Sequence, residues 1–176
     1  MFPDLISTKK YCALCLLIAF TAGACNYSLV GRGSSLPADV RSVNIPIFKN
    51  FTGEPDIETI VTRVIREEFI KDGRLQIDDS SSSDSILTGE IRSYTLKPLA
   101  YDQDNNVTEY LVTLSIFLVH KNNHTGKILQ RRKVDTTWQY PVDPSISLAE
   151  SLRQDAIETA AFQASDTIIS LIIESF

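Results

Sequence analysis

Two histidines, one basic run and a few hydroxyls and carboxylates are the residues of this 176-residue chain whose types could do chemistry. His120 and His124 are spaced i to i+4, which would place both on one helix face. They fall instead at a strand end and in a turn, with no cysteine or carboxylate pair nearby to complete a metal shell. The expectation is two solvated loop histidines and no metal site. Gly31-Arg32-Gly33 precedes no helix start, so it is no phosphate cradle. Ser34 and Ser35 lack the strand-turn-helix setting of an activated nucleophile. Asp78, Asp79 and Asp84 lack calcium-loop spacing. No cofactor site and no enzymatic activity are expected. The densest positive charge is Arg131-Arg132-Lys133. On a strand Arg131 and Lys133 share one face and Arg132 points to the other. Two readings stay open: the charges guard an edge strand against aggregation, or they hold the phosphates of an anionic lipid headgroup, for which the planar fork of arginine is suited.

The remaining reactive side chain is Cys25. Lys9 and Lys10 form a short positive region, and an apolar stretch runs from Tyr11 to Phe20. Thr21, Ala22, Gly23 and Ala24 follow. This is the layout of a secretory signal, and its apolar core is too short to span a bilayer as a stable helix. Ala22-Gly23-Ala24-Cys25 resembles the lipobox of bacterial lipoproteins, with Ala22 where leucine is commoner. Cys12 and Cys15 are lost with a signal covering 1–24, which leaves Cys25 as the one mature cysteine and a site for lipid attachment. A lone cysteine in a secreted chain calls for such an explanation. No second apolar run of spanning length is evident, so the protein is expected to be anchored to a membrane without crossing it. The mature chain would carry 15 basic and 21 acidic residues, a net charge of −6. That excludes a typical nucleic-acid binder.

The elements that must position these groups follow from periodicity. Residues 25–39, rich in glycine, serine and proline, read as lipidated cysteine and tether, and 40–176 as one domain. Val40 to Phe48 reads as a strand with Val43, Ile45 and Ile47 on one face, made an edge or interrupted strand by Pro46. Pro55 suits the first position of a helix, whose stripe is Ile57, Ile60, Val61, Val64, Ile65 and Phe69 and whose end is Asp72-Gly73. Leu75 to Ile77 is a short strand candidate. Long strands are expected over Ser85–Leu99, Val107–Lys121 and Lys127–Tyr140, joined by hairpin-like turns at Asp102–Asn106 and Asn122–Gly126. In the middle one Tyr110, Val112, Leu114, Ile116 and Leu118 alternate, the mark of a buried sheet face. Its other face carries Leu111, Thr113, Ser115, Phe117 and Val119. Ser147 to Glu150 fits a capping box. Leu148, Leu152, Ala156, Ala160, Ala164, Ile168 and Ile172 then repeat every four residues in a long helix whose end is more apolar than packing on one sheet requires. The fold class is α+β: a two-layer sandwich with a mostly antiparallel sheet of about four strands packed against two helices.

Gly31-Arg32-Gly33-Ser34-Ser35-Leu36-Pro37 and Val43-Asn44-Ile45-Pro46-Ile47-Phe48-Lys49-Asn50 resemble the LptE family of lipopolysaccharide-assembly lipoproteins. So do Arg66 to Leu75 and Leu87 to Tyr94. The resemblance implies a lipid-anchored protein at the periplasmic face of the outer membrane and a two-layer sandwich. It also implies a partner, a large LptD-like β-barrel that the protein plugs and helps assemble, and a ligand, lipopolysaccharide, whose delivery it assists. Basic strand residues of the family have been linked to lipopolysaccharide, which makes Arg131, Arg132 and Lys133 candidates. Asn26 follows the cysteine in place of the aspartate that retains some lipoproteins at the inner membrane. The competing reading is a periplasmic interaction module of another envelope complex, of a secretion or Tol-like kind. Mass spectrometry of the mature N-terminus is expected to find lipid on Cys25 after cleavage behind Ala24; an unmodified cysteine or another cleavage point contradicts the anchor.

Overall fold

The computed structural model describes residues 36–142 and 146–174. The expectations placed on 1–24 and on Cys25 therefore lie outside the described residues, as does the Ser147 side chain of the expected cap; Glu150, the other half of the capping box, accepts hydrogen bonds from Arg153 and Gln154. The elements are β1 (Ser42–Asn44), β2 (Lys49–Asn50), α1 (Ile57–Asp72), β3 (Gln76–Ile77), β4 (Ser85–Tyr101), β5 (Val107–Asn122), β6 (Ile128–Pro141) and α2 (Ile146–Ile173). They form an α+β sandwich. One six-stranded mixed sheet runs β3-β1-β4-β5-β6, with β2 beside β4. The long β4-β5-β6 meander is antiparallel, and β1 runs parallel to both β3 and β4. The sheet exceeds the four strands expected because two-residue strands such as β2 are too short to leave a period-2 pattern.

The strand expected over Val40–Phe48 is two strands. Val43 and Ile45 are buried, but Ile47 is 67% exposed and Phe48 is 2% exposed. The cause is Pro46, which has no N–H for a ladder and breaks the alternation. The backbone groups freed around it find partners on α1: Ile45 O accepts from the Arg66 guanidinium at 2.8 Å, and Phe48 N–H donates to Thr62 Oγ1 at 2.9 Å. Buried Thr62 in turn donates to Glu58 O at 2.6 Å. The ladder then resumes where Lys49 pairs with Glu90 and Asn50 with Ile91. Phe48 swings inward and its ring lies over Gly89, where a Cβ has no room.

Helix α1 begins two residues after Pro55, with Asp56 in the left-handed region as its N-cap and no side-chain cap bond. Its end is as expected: Gly73 has φ 71° and its N–H donates to Phe69 O. In α2 the buried positions form two adjoining stripes, Ala156-Ala160-Ala164-Ile168-Ile172 and Ile157-Ala161-Ser165-Ile169-Ile173. Two stripes are needed because α2 lies against β5 and β6 and also against α1. That second contact accounts for the apolar end of the helix. The stretch Leu148–Ile173 is long and apolar enough to cross a membrane by length and composition, contrary to the expectation of none. In this fold it is a core helix. Arg153–Glu54, Arg63–Glu158 and Arg74–Glu174 ion pairs join it to α1 and its flanks.

Replacing Gly89 with alanine is expected to force the buried Phe48 ring off its site and to cost about 1–3 kcal/mol. Urea unfolding checks it; an unchanged midpoint would mean that the ring is not wedged against β4.

Candidate functional site

The central strand β5 divides the sheet into two unlike faces. Its even residues Val112, Leu114, Ile116 and Leu118 are buried on the helix side. Its odd residues point to the face that no helix covers among the described residues. There the cross-strand rows are Thr88–Val119–Arg131, Glu90–Phe117–Lys133 and, past a bulge in β4, Ser93–Ser115–Asp135. Arg131 and Lys133 thus stand directly beside Val119 and Phe117 on the open face. Arg132 pairs with Leu118, faces the helix side, and donates to Arg131 O. The basic run is not one cluster but two cations on one side and one on the other.

Lys133 is held by Asp135 at 2.9 Å, and both side chains are at least half exposed, so solvent screening leaves that pair weak. Asp135 itself is held below the ordinary carboxylate range, chiefly by the Ser115 hydroxyl and then by Lys133. Arg131, by contrast, has no carboxylate partner among the described residues, and neither have Lys49 and Lys121. Lys49, Pro46, Ile47, Thr88, Gly89, Glu90, Phe117 and Val119 line a hollow of about 260 Å³ in this face. Its walls are apolar on the Ile47 and β5 sides; Lys49 and its cross-strand neighbour Glu90 are the charged residues of the lining, and Arg131 stands outside it, beside Val119. The sequence signal was the second apolar face of β5; that Ile47 and Lys49 complete the hollow depends on the Pro46 break.

The sheet has two unlike ends. At one end, the Asp84 carboxylate accepts from Arg41 N–H, Ser42 N–H and Ser42 Oγ at 2.9–3.0 Å and meets His124 Nε2 at 3.1 Å. The His124 contact, followed by the backbone bond from Arg41, pulls the Asp84 pKa down to about 2. Asn122 donates to Asp39, and Asn123 donates to Ser83. This end therefore clamps the segment through which the chain enters the fold. At the other end the Asp102–Asn106 turn closes on itself, with Asp102 accepting from the backbone of Asp104 and Asn106. The 16 residues of β5 separate the two turns by about 50 Å at about 3.3 Å per residue.

His120 is not a loop residue. It continues the even face of β5, is fully buried between Leu87 and Gln130, and has no hydrogen-bond partner at either ring nitrogen. The period-2 pattern extended two residues further than the hydrophobic letters. Burial alone pushes its pKa down to about 4. Among the described residues no group of His, Cys, Asp or Glu could hold a metal ion.

The described residues thus form a two-layer sandwich with an apolar hollow on its open sheet face. The chain matches the family model of LptE, described as lipopolysaccharide-assembly, over residues 40–172, and it belongs to that family. No curated protein sequence matches it significantly. Its fold is similar to that of protein XCC0632 from Xanthomonas campestris, with TM-score 0.53, 11% identity, and coverage of 80% of this chain and 91% of that one. It is likewise similar to the hypothetical protein CT253 from Chlamydia trachomatis, with TM-score 0.53, 5% identity, and coverage of 76% and 95%. The rare lipoprotein B from Shewanella oneidensis aligns with TM-score 0.46 and 21% identity over 72% of this chain and 91% of that one.

The buried imidazole makes stability depend on acid. Folded His120 titrates near 4 against 6.5 when free, so between those values the unfolded chain binds a proton that the folded chain excludes. Its contribution is intact above about pH 6.5 and is lost as pH falls toward 4, by about 3 kcal/mol in all. His120→Leu is expected to flatten that part of the pH–stability curve in thermal melts at pH 7 and pH 4.5; an equal acid loss in both proteins would contradict it.

Proposed function

We propose that the protein is exported under the 1–24 signal, lipidated on Cys25, and held by the 25–39 tether at the periplasmic face of the outer membrane. There it plugs and helps assemble an LptD-like β-barrel and assists delivery of lipopolysaccharide to the cell surface. The observation that carries this reading is the family match across residues 40–172. The geometry is consistent with it. Asp39, Arg41 and Ser42, at the start of the domain, are held at the Asn122–Gly126 end, and this reading assigns that end to the membrane side. The Asp102–Asn106 turn, about 50 Å away along β5, is the end free to reach into a barrel. Its exposed polar groups suit a polar lumen. The two turns lie at opposite ends of the sheet, and this reading gives the barrel-facing role to Asp102–Asn106.

The ligand side of the proposal rests on Arg131. Charge-assisted hydrogen bonds to phosphate contribute about 1.5–3 kcal/mol each. The overall acidity of the chain gives no long-range attraction for an anion, so binding is local. Arg131 is the unpaired cation of the run on the open face, Lys133 is shared with Asp135, and Arg132 serves from the opposite face or guards the β6 edge, which has no neighbour among the described strands.

A photo-crosslinker at Asn105 in living cells is expected to capture an outer-membrane barrel protein, while one at Asn123 captures it less or not at all. Depletion of the protein is expected to lower the amount of assembled barrel. Capture of soluble periplasmic proteins alone, with normal barrel assembly after depletion, would move the protein to a different envelope complex.

A further inference from the structure

We infer that the free edge of β6 joins the same edge of a second copy of this chain, antiparallel about a two-fold axis at Val134, so that the two sheets become one. The association is separate from the barrel and ligand readings above, and either can fail without the other. β6 is a 14-residue strand at the end of the sheet, and no strand pairs with its outer side among the described residues. Which backbone groups it offers follows from one bond. Val142 N–H donates to Thr108 O, and in an antiparallel ladder alternate residues turn both backbone groups to the same neighbour. The even residues of β6 therefore bond to β5, and Arg131, Lys133, Asp135, Thr137 and Gln139 turn their N–H and C=O outward. Arg131 O, one of these outward acceptors, is capped by the Arg132 guanidinium at 3.1 Å. Pro141 sits in the same phase, where its missing N–H takes no bond from β5. The register with β5 is unbroken from Gln130 to Pro141, so no bulge twists this edge away.

Charge on such an edge normally repels an incoming strand. Here the charges are ordered so that the strand complements itself. With two copies antiparallel about Val134, Lys133 of each stands opposite Asp135 of the other. Arg131 stands opposite Thr137 on the same face, and Arg132 opposite Thr136 on the helix side. Lys133 and Asp135 already pair within one copy at 2.9 Å, on side chains 60% and 50% exposed; the join turns that pair into a ring of alternating charges. Moving the axis to residue 133 sets Lys133 against itself, and moving it to residue 135 sets Asp135 against itself. Like charges directly opposite are destabilising, so the charges select one register. In that register residues 131–137 of the two copies exchange about eight backbone hydrogen bonds, two for each facing pair of outward residues.

Sedimentation equilibrium of the full mature protein in density-matched detergent measures the association. The parent is expected to form a concentration-dependent dimer. Lys133→Glu and Asp135→Lys each set like charges opposite one another, and each is expected to weaken the dimer by roughly tenfold or more. The double variant restores opposite charges and is expected to regain most of the loss, a rescue that mere damage to the strand would not show. Thr137→Pro removes an outward N–H and no bond to β5, and is expected to give a monomer that still unfolds cooperatively in urea. A parent that stays monomeric, single charge variants that dimerise like the parent, or a double variant no better than the singles would each overturn the pairing. A photo-crosslinker at Thr137 in living cells is expected to capture a second copy of the chain; capture of an outer-membrane barrel protein there in its place would overturn the assignment of this edge to a second copy.

Discussion

The break that Pro46 makes in the first strand governs much of this structure. A proline inside a ladder removes a donor and leaves its neighbours' backbone groups to be satisfied elsewhere. Arg66 and Thr62 of α1 supply those partners, which fixes the helix over the sheet at that point. The same break reverses the side-chain alternation, so Phe48 enters the core over Gly89 and Ile47 leaves it. One residue thus joins the helical layer to the sheet on one side and raises the wall of a hollow on the other. Core and candidate site share this local cause, and a change to either Phe48 or Gly89 reaches both.

The second organising feature is that β5 is apolar on both faces. A strand with one wet side normally alternates apolar and polar residues. Here the helix-facing side is shielded by α1 and α2, and the bare side keeps Leu111, Phe117 and Val119 half-buried among charged neighbours. Those neighbours come from β4 and β6. The bare face is therefore amphipathic across the strands rather than along them.

Helix α2 shows how a segment with the length and apolarity of a membrane span is used in a folded domain. Its alanines allow close approach to its neighbours, it packs on α1 as well as on the sheet, and the ion pairs to Glu54, Arg63 and Arg74 lie along the helix seam. The exposed pairs contribute little to stability. The Arg153–Glu54 pair, with both side chains less than a quarter exposed, is the one in which loss of a partner leaves a charge poorly solvated.

The sequence by itself determined the long elements. Period-2 alternation marked the meander to within a residue or two, and the 3.6-residue stripe marked α1 and its Gly73 stop, because these signals are repeated over many residues and depend only on local geometry. It also separated Arg131 and Lys133 from Arg132, since alternation in a strand is a local rule. What only the tertiary structure decided were the features set by contacts between distant segments. The direction of Ile47 and Phe48 depended on partners 14 and more residues away on α1. His120 reads as polar and end-of-strand, yet the sheet and helices enclose it, so its burial is a property of the layer and not of the residue. The two polar turns look alike in sequence; the clamp of Asp84 on Arg41 and Ser42, across more than forty residues, makes one of them the entry end and leaves the other free.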